Sequence, residues 1–389
     1  MITREELRQL AQVQSEDGCA VSFYFQPQTP QDKSHREEAI LIKDLVRDAL
    51  RRVERNGGNA GLEEDLRKIM QMAEGLHNNH SRGKAVFACG KQGIWQELDV
   101  PPRLGRSQVI VNARFHLKPL VAARTGLPPT CISLVDRKKA RIFELRGGIL
   151  TQKPDLEFGP LPKVGKSDGY SGYDAGHRER HIDKEVTNHF RLYSESLLNL
   201  MNMEKLEALL IGCRDEAWAD IEPTMHPFLR QKLAGRFLLD PIAATGEEVR
   251  EYALRILEKN RQAEQQELIR EAIGQASRNS RGAVGLRHVL TALERQEVQT
   301  LLVSRDFEAE AVECTNCGHL DTRMVKNCAV CNQETRHLND VSDSLVDMAL
   351  RNGAEIQFVD NNPDLERAGR VGAVLRFRAD QNTAEKVAV

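Results

Sequence analysis

No apolar run in the chain approaches the length of a bilayer span, which excludes a helical membrane protein. An excess of one charge is also lacking. Lys and Arg number 55 against 57 Asp and Glu, a net charge of -2, so nucleic acid gains no global attraction and RNA would have to be met by local patches or shape. The first residues, "MITREELRQLAQVQSEDG", carry acids where a secretory leader has a basic stretch and an apolar core, and predict a cytoplasmic address. A secreted disulfide framework is missing too: Cys19, Cys89, Cys131 and Cys213 are scattered and the other four cysteines gather near the C-terminus, a pattern for a reducing compartment. Repeats and low-complexity tracts are absent.

Three catalytic signatures fail at specific positions. "GKS" at Gly165 to Ser167 lacks the glycine five residues before Gly165 that a phosphate-cradling loop needs, which removes an ATPase reading. In "GYSGY" the second glycine comes one position too early for a nucleophile elbow. "HRERH" sets His177 and His181 four apart on one helical face, but Arg178 stands where a zincin has its glutamate, and Arg178 and Arg180 repel a divalent cation.

What is present is the mixture of a globular protein, 29% charged and 40% hydrophobic over 389 residues, enough for two or three domains, of which three is the preferred division. The fold class is α/β, each domain with a mixed sheet and packed helices. Residues 1–127 hold a strand, a helix carrying Ile42, Leu45, Val46, Ala49, Leu50 and Val53 on one face behind a Ser34/Glu37 capping box, a helix over Leu62 to Leu76, and two strands in "KAVFACGKQGIWQELDVP". Residues 128–243 open with two antiparallel runs in "CISLVDRKKARIFELRGGIL". A glycine-rich segment and a helix with the stripe Val186, Phe190, Tyr193, Leu197 and Met201 follow, then the buried strand "KLEALLIGC" and a short helix in "HPFLRQKLAGRFLLD". Residues 244–389 are strongly helical at first, then alternate strands ("VQTLLVS", "AEIQFVD", "GAVLRFR") with helices near His288 and in "SDSLVDMALRNG".

The sharpest local signal is "CTNCGHLDTRMVKNCAVC". Cys314, Cys317, Cys328 and Cys331 form two Cys-x2-Cys knuckles ten residues apart, the spacing that aims four thiolates at one structural zinc ion in a mini-domain at 312–334. A redox dithiol pair and unliganded core cysteines are the competing readings. Four sulfurs close the shell and leave no position for substrate; His319, just beyond the first knuckle, is an inferior substitute ligand.

Between Gly165 and Glu185 four glycines and two tyrosines run into a charged helix start. Its i to i+4 pairs, Glu179 with Asp183 and Arg180 with Lys184, are like-charged and do not stabilise it. The stretch reads equally as a solvated helix entrance or as a surface for RNA. In the second reading Lys166, His177, Arg178, Arg180 and His181 meet phosphates and Tyr170 and Tyr173 stack on bases. The basic turn Arg137, Lys138 and Lys139 on the expected hairpin is either solvent-facing or a phosphate contact.

In order along the chain, "LVDRKKARIFEL", "ALLIGCRDEA", "VQTLLVS", the cysteine pairs, "SDSLVDMALRNGAEIQFV" and "GAVLRFR" resemble the class-I release factors of archaea and eukaryotes and their relative Pelota, in a bacterial branch. The likeness runs from about residue 128 to the end. It implies an L7Ae-like C-terminal domain with a zinc-ribbon insertion. It also implies that Val164 to Arg180 occupies the place of the Gly-Gly-Gln loop that positions water in the peptidyl transferase centre. This chain has "GYSGYDAG" there and no Gln, and its first domain lacks the stop-codon-reading Asn-Ile-Lys-Ser. The resemblance therefore implies a non-catalytic, monomeric factor that fills the ribosomal A site by tRNA-like shape, in hibernation or the handling of stalled ribosomes. Its partners are rRNA of the A site and peptidyl transferase centre and a translational GTPase of the elongation factor Tu type. The alternatives are a peptidyl-tRNA hydrolase with a diverged loop and His177 or His181 as base, and a general structured-RNA-binding protein.

Overall fold

The computed structural model describes residues 3–15, 17–26, 36–55, 59–72, 83–100, 106–124, 126–136, 139–157 and 175–379, without the side chains of residues 4, 36, 124 and 175–183. The chain forms two compact units, one made of residues 1–125 together with 265–389, the other of 126–264.

In the first unit α1 (Arg4–Gln12), β1 (Ala20–Phe25), α2 (Arg36–Arg55), α3 (Ala60–Met72), β2 (Gly83–Cys89), β3 (Ile94–Val100), β4 (Gln108–Asn112) and α4 (Lys118–Arg124) precede the break. The four strands form an antiparallel sheet in the order β3-β2-β1-β4. Ile42, Val46, Ala49 and Val53 of α2 recur at helical spacing and are buried, as the sequence stripe predicts. The predicted capping residue Ser34 and the expected helical residues 73–76 lie outside the described residues.

The second unit contains β5 (Thr130–Val135), β6 (Lys139–Arg146), β7 (Ile149–Glu157), α5 (Ala175–Met203), β8 (Ala208–Gly212), α6 (Asp215–Thr224), α7 (Pro227–Lys232), β9 (Leu233–Phe237) and the first part of α8 (Gly246–Ser277). Its sheet runs β7-β6-β5-β8-β9, antiparallel on the β7 side and parallel from β5 through β9. Because helices cover both faces, the inner strands are apolar without alternation. Cys131, Val135, Leu209 and Ile211 pack towards α5, whereas Ile132, Leu134 and Leu210 pack towards Val249, Ala253 and Leu257 of α8.

Two elements depart from the sequence reading. "LAGRF", taken as helix, is the edge strand β9, since hydrogen bonding to β8 outweighs a helical stretch of one and a half turns. The stretch after "ALLIGC", given no element from the sequence, is the helix α6, whose Ile221 is buried in the α5-side core.

The remainder of the first unit comprises the end of α8, β10 (Gly282–Val284), α9 (Leu286–Glu294), β11 (Val298–Ser304), β12 (Ala311–Cys314), β13 (Leu320–Asp321), β14 (Thr335–Leu338), α10 (Ser342–Arg351), β15 (Glu355–Val359), α11 (Pro363–Arg367) and β16 (Val371–Leu375). A mixed sheet, β10-β16-β11-β15, has only the β11/β15 pair parallel. α9 and α10 fill one face with Val289, Leu293, Leu345 and Ala349, and α8 and α11 fill the other with Ile269, Ala272 and Leu365. The small sheet β13-β12-β14 carries the cysteine knuckles.

Candidate functional site

The two knuckles repeat one backbone pattern. Gly318 N–H donates to Cys314 O at 3.1 Å and Asn332 N–H to Cys328 O at 2.9 Å, while Cys314 N–H and Cys328 N–H donate to His319 O and Gln333 O at 2.9 and 2.8 Å. The residue after each second cysteine is left-handed, Gly318 at φ 71° and Asn332 at φ 59°, which glycine and asparagine tolerate. Both turns therefore present their sulfurs inward. The four Sγ atoms lie within 4.8 Å of one another. Cys314 to Cys331 is 3.3 Å, Cys317 to Cys331 3.5 Å and Cys317 to Cys328 3.6 Å. A tetrahedron of 2.3 Å metal–sulfur bonds has an edge of about 3.8 Å, so the arrangement fits one metal ion.

Backbone amides point at two of the sulfurs: Cys317 N–H lies 3.4 Å from Cys314 Sγ and Val330 N–H 3.3 Å from Cys328 Sγ. The Gln333 amide, helped by the neighbouring sulfurs, lowers the Cys331 thiol to about 6, whereas, against the pull of the His319 amide, burial and the neighbouring sulfurs push Cys317 up to about 12. His319 is turned away, its Nδ1 2.6 Å from Glu294 Oε1. By contrast, burial pushes Cys131 up to about 12 and Cys213 to about 11, as befits inert core thiols. Cys19 and Cys89 are likewise buried, with 3.9 Å between their sulfurs.

The glycine-rich segment joins edge strand β7 to α5. Lys166, Tyr170 and Tyr173 lie outside the described residues, and of His177, Arg178, Arg180 and His181 only the helical backbone is described. The helix itself is firmly held further on: Phe190, Tyr193, Leu197 and Met201 are buried, and Tyr193 Oη bonds Ser133 Oγ of β5 at 2.9 Å. Arg137 and Lys138 also fall outside the described residues. Lys139 is described, and its charge is engaged within the hairpin. Its Nζ lies 2.8 Å from Asp155 Oδ2, which holds the ammonium above its ordinary value.

Sequence reasoning missed a cluster of charges that links the two chain segments of the first unit. Arg114, after β4, lies 3.2 Å from Glu313 Oε1 and 3.5 Å from Asp347 Oδ2. Arg336 of β14 bonds Glu313, and Arg351 reaches Asp347 at 3.2 Å. Glu313 sits immediately before Cys314, so the base of the cysteine mini-domain is tied to the N-terminal sheet. Nearby, His116 Nδ1 lies 2.7 Å from Asp343 Oδ2, and Lys118 Nζ donates to Ser342 Oγ at 2.8 Å. No local spacing marks these partners, which come from distant parts of the chain.

Residues 116–258 match the family model described as bacterial archaeo-eukaryotic release factor family 10. Among solved structures the chain is similar to an archaeal translation termination factor, aRF1, at 16% identity over 97% of this chain and 99% of that one, with a TM-score of 0.26. It is also similar to Pelota of Archaeoglobus fulgidus, at 13% identity over 97% and 93% of the two chains and a TM-score of 0.33. Dom34 of S. cerevisiae, described as a translation termination-like factor, shares 11% identity over 77% of this chain and 81% of its own, with a TM-score of 0.39. No curated protein matches the chain.

Proposed function

We propose that this protein is a ribosome-binding factor that occupies the A site without hydrolysing peptidyl-tRNA. The observation that carries the reading is a release-factor-type domain, residues 116–258, in a sequence that holds no Gly-Gly-Gln. Its glycine-rich segment leaves an edge strand and returns into a 29-residue helix anchored at its far end by four buried side chains. Lys166, Tyr170, Tyr173, His177, Arg178, Arg180 and His181 are the residues proposed to meet rRNA there, with Arg137 and Lys138 as further phosphate contacts. Service in hibernation or in the handling of stalled ribosomes, beside a GTPase of the elongation factor Tu type, belongs to the same proposal.

The cysteine cluster is proposed to hold zinc. Four thiolates around one ion form a closed structural shell, so the metal would fix the mini-domain and take no part in chemistry.

The test is sedimentation of the purified protein with vacant ribosomes. It is expected to pellet at low salt and to be released as salt rises, because phosphate contacts are salt-dependent. Labelled peptide should stay on loaded ribosomes. Failure to pellet overturns the proposal, and peptide release abolished by His177→Ala replaces it with a hydrolase.

A further inference from the structure

A concentration of arginine at one end of the sheet β10-β16-β11-β15 plays no part in the function proposed above. Leu375 N–H donates to Arg281 O at 3.1 Å, and Arg376 N–H donates to Glu297 O at 2.8 Å. These bonds bring the α8–β10 loop, the end of β16 and the turn between α9 and β11 to a common edge. Arg278, Arg281, Arg295 and Arg376 are exposed there, with Arg378 half-buried beside them. Two of the five are fixed by carbonyl groups: Arg376 Nη2 donates to Gly353 O at 2.8 Å, and Arg378 Nη1 donates to Ser280 O at 3.1 Å. Arg278, Arg281 and Arg295 make no ion pair among the described residues.

The acids of this region do little to neutralise it. Glu297 is buried and accepts the Ala379 amide at 2.9 Å; Glu294 is engaged by His319. Among the described residues Glu355, exposed at the start of β15, is a further acid on a neighbouring strand end. In a protein of net charge -2, so many arginines at one edge repel one another. Between Arg376 and Arg378 stands Phe377, an aromatic side chain 45% exposed.

Guanidinium groups at one sheet edge that also carries an exposed ring match the two faces of an unpaired nucleotide. The arginines take phosphates and the ring stacks on a base. We infer that this end of the sheet is a binding site for single-stranded RNA. An acidic peptide would satisfy the arginines but would leave the ring without a planar partner, so the exposed Phe377 favours RNA. The site lies wholly within the unit made of residues 1–125 and 265–389, and the inference stands independently of the A-site reading.

The test uses the full chain, without ribosomes, and fluorescence anisotropy of a labelled 12-nucleotide oligoadenylate across a range of salt. Arg281→Glu and Arg295→Glu each remove one phosphate contact and should weaken binding while lowering the slope of log Kd against log salt by about 0.7. Phe377→Ala should weaken binding about tenfold and leave the slope unchanged, because stacking is uncharged. Arg287→Glu makes the same charge change at the opposite end of α9, where Gly285 N–H meets Val371 O, and should alter neither quantity. Among the described residues Arg281 and Arg295 donate no side-chain bonds, so these variants keep the fold, which circular dichroism checks. Equal effects of Arg281→Glu and Arg287→Glu, or polyglutamate binding as tightly as oligoadenylate, would overturn the inference.

Discussion

Asp347 is 7% exposed at its side chain, between Arg114 and Arg351. Burial raises its carboxyl to about 6 although both arginines pull the other way. Because this value lies above the ordinary 3.8, the folded chain holds the proton more tightly than the unfolded one. The stabilisation is therefore in place below about pH 4 and is lost as pH rises through about 6. Asp347→Asn removes that dependence. Urea titrations at pH 4 and pH 7 should show the wild type losing about 3 kcal/mol relative to the variant across that interval. An unchanged difference would show that Asp347 titrates normally. At Tyr193 the hydroxyl reaches Ser133 inside the core, and Tyr193→Phe should cost about 1 kcal/mol in denaturant unfolding. Neither residue's role could be read from sequence. Arg114 and Glu313 are 199 positions apart, and a lone Asp on an amphipathic helix looks solvent-facing. The four clustered cysteines were legible because their geometry is local: two tight turns determine where the sulfurs point.

At the scale of elements, two glycines close together in sequence behave oppositely. A Cβ on Gly282 of β10 would fall 2.6 Å from Ala276 N and closer still to the Ala272 carbonyl oxygen, so α8 lies directly against the strand backbone. Gly274 on α8 has open space around it. Gly274→Ala should stabilise the protein by up to about 1 kcal/mol through helix propensity. Gly282→Ala should cost about 2 kcal/mol or more, since backbone must move to admit the methyl group. Thermal unfolding of the pair checks both signs. Long elements with a strong period, α2 and α5, were readable from apolar spacing. The short ones were not: β9 gains its structure from pairing with β8, and α6 from Ile221 meeting a core that the sequence does not display.

For the whole molecule, metal removal should act unequally on the two units. Structural zinc contributes on the order of 10 kcal/mol to small domains that cannot bury enough apolar surface. Chelation, or Cys331→Ser, should raise amide hydrogen exchange across residues 311–338, with a smaller effect at Arg114 and α10 through Glu313. Residues 126–264, in the other unit, should keep their protection. Uniform loss of protection would contradict this division. Among the described residues no helix is long and apolar enough to cross a membrane. The sequence by itself determined the α/β class, the long helices, the cysteine quartet and the failure of the common catalytic motifs, because each depends on residues near one another along the chain. Only the tertiary structure joined residues 1–125 with 265–389 in one unit, buried Asp347 between two arginines and brought the segments of Arg281, Arg295 and Arg376 to one sheet edge. Those features depend on which distant segments a sheet's hydrogen bonds bring side by side, and one-dimensional spacing carries no record of that.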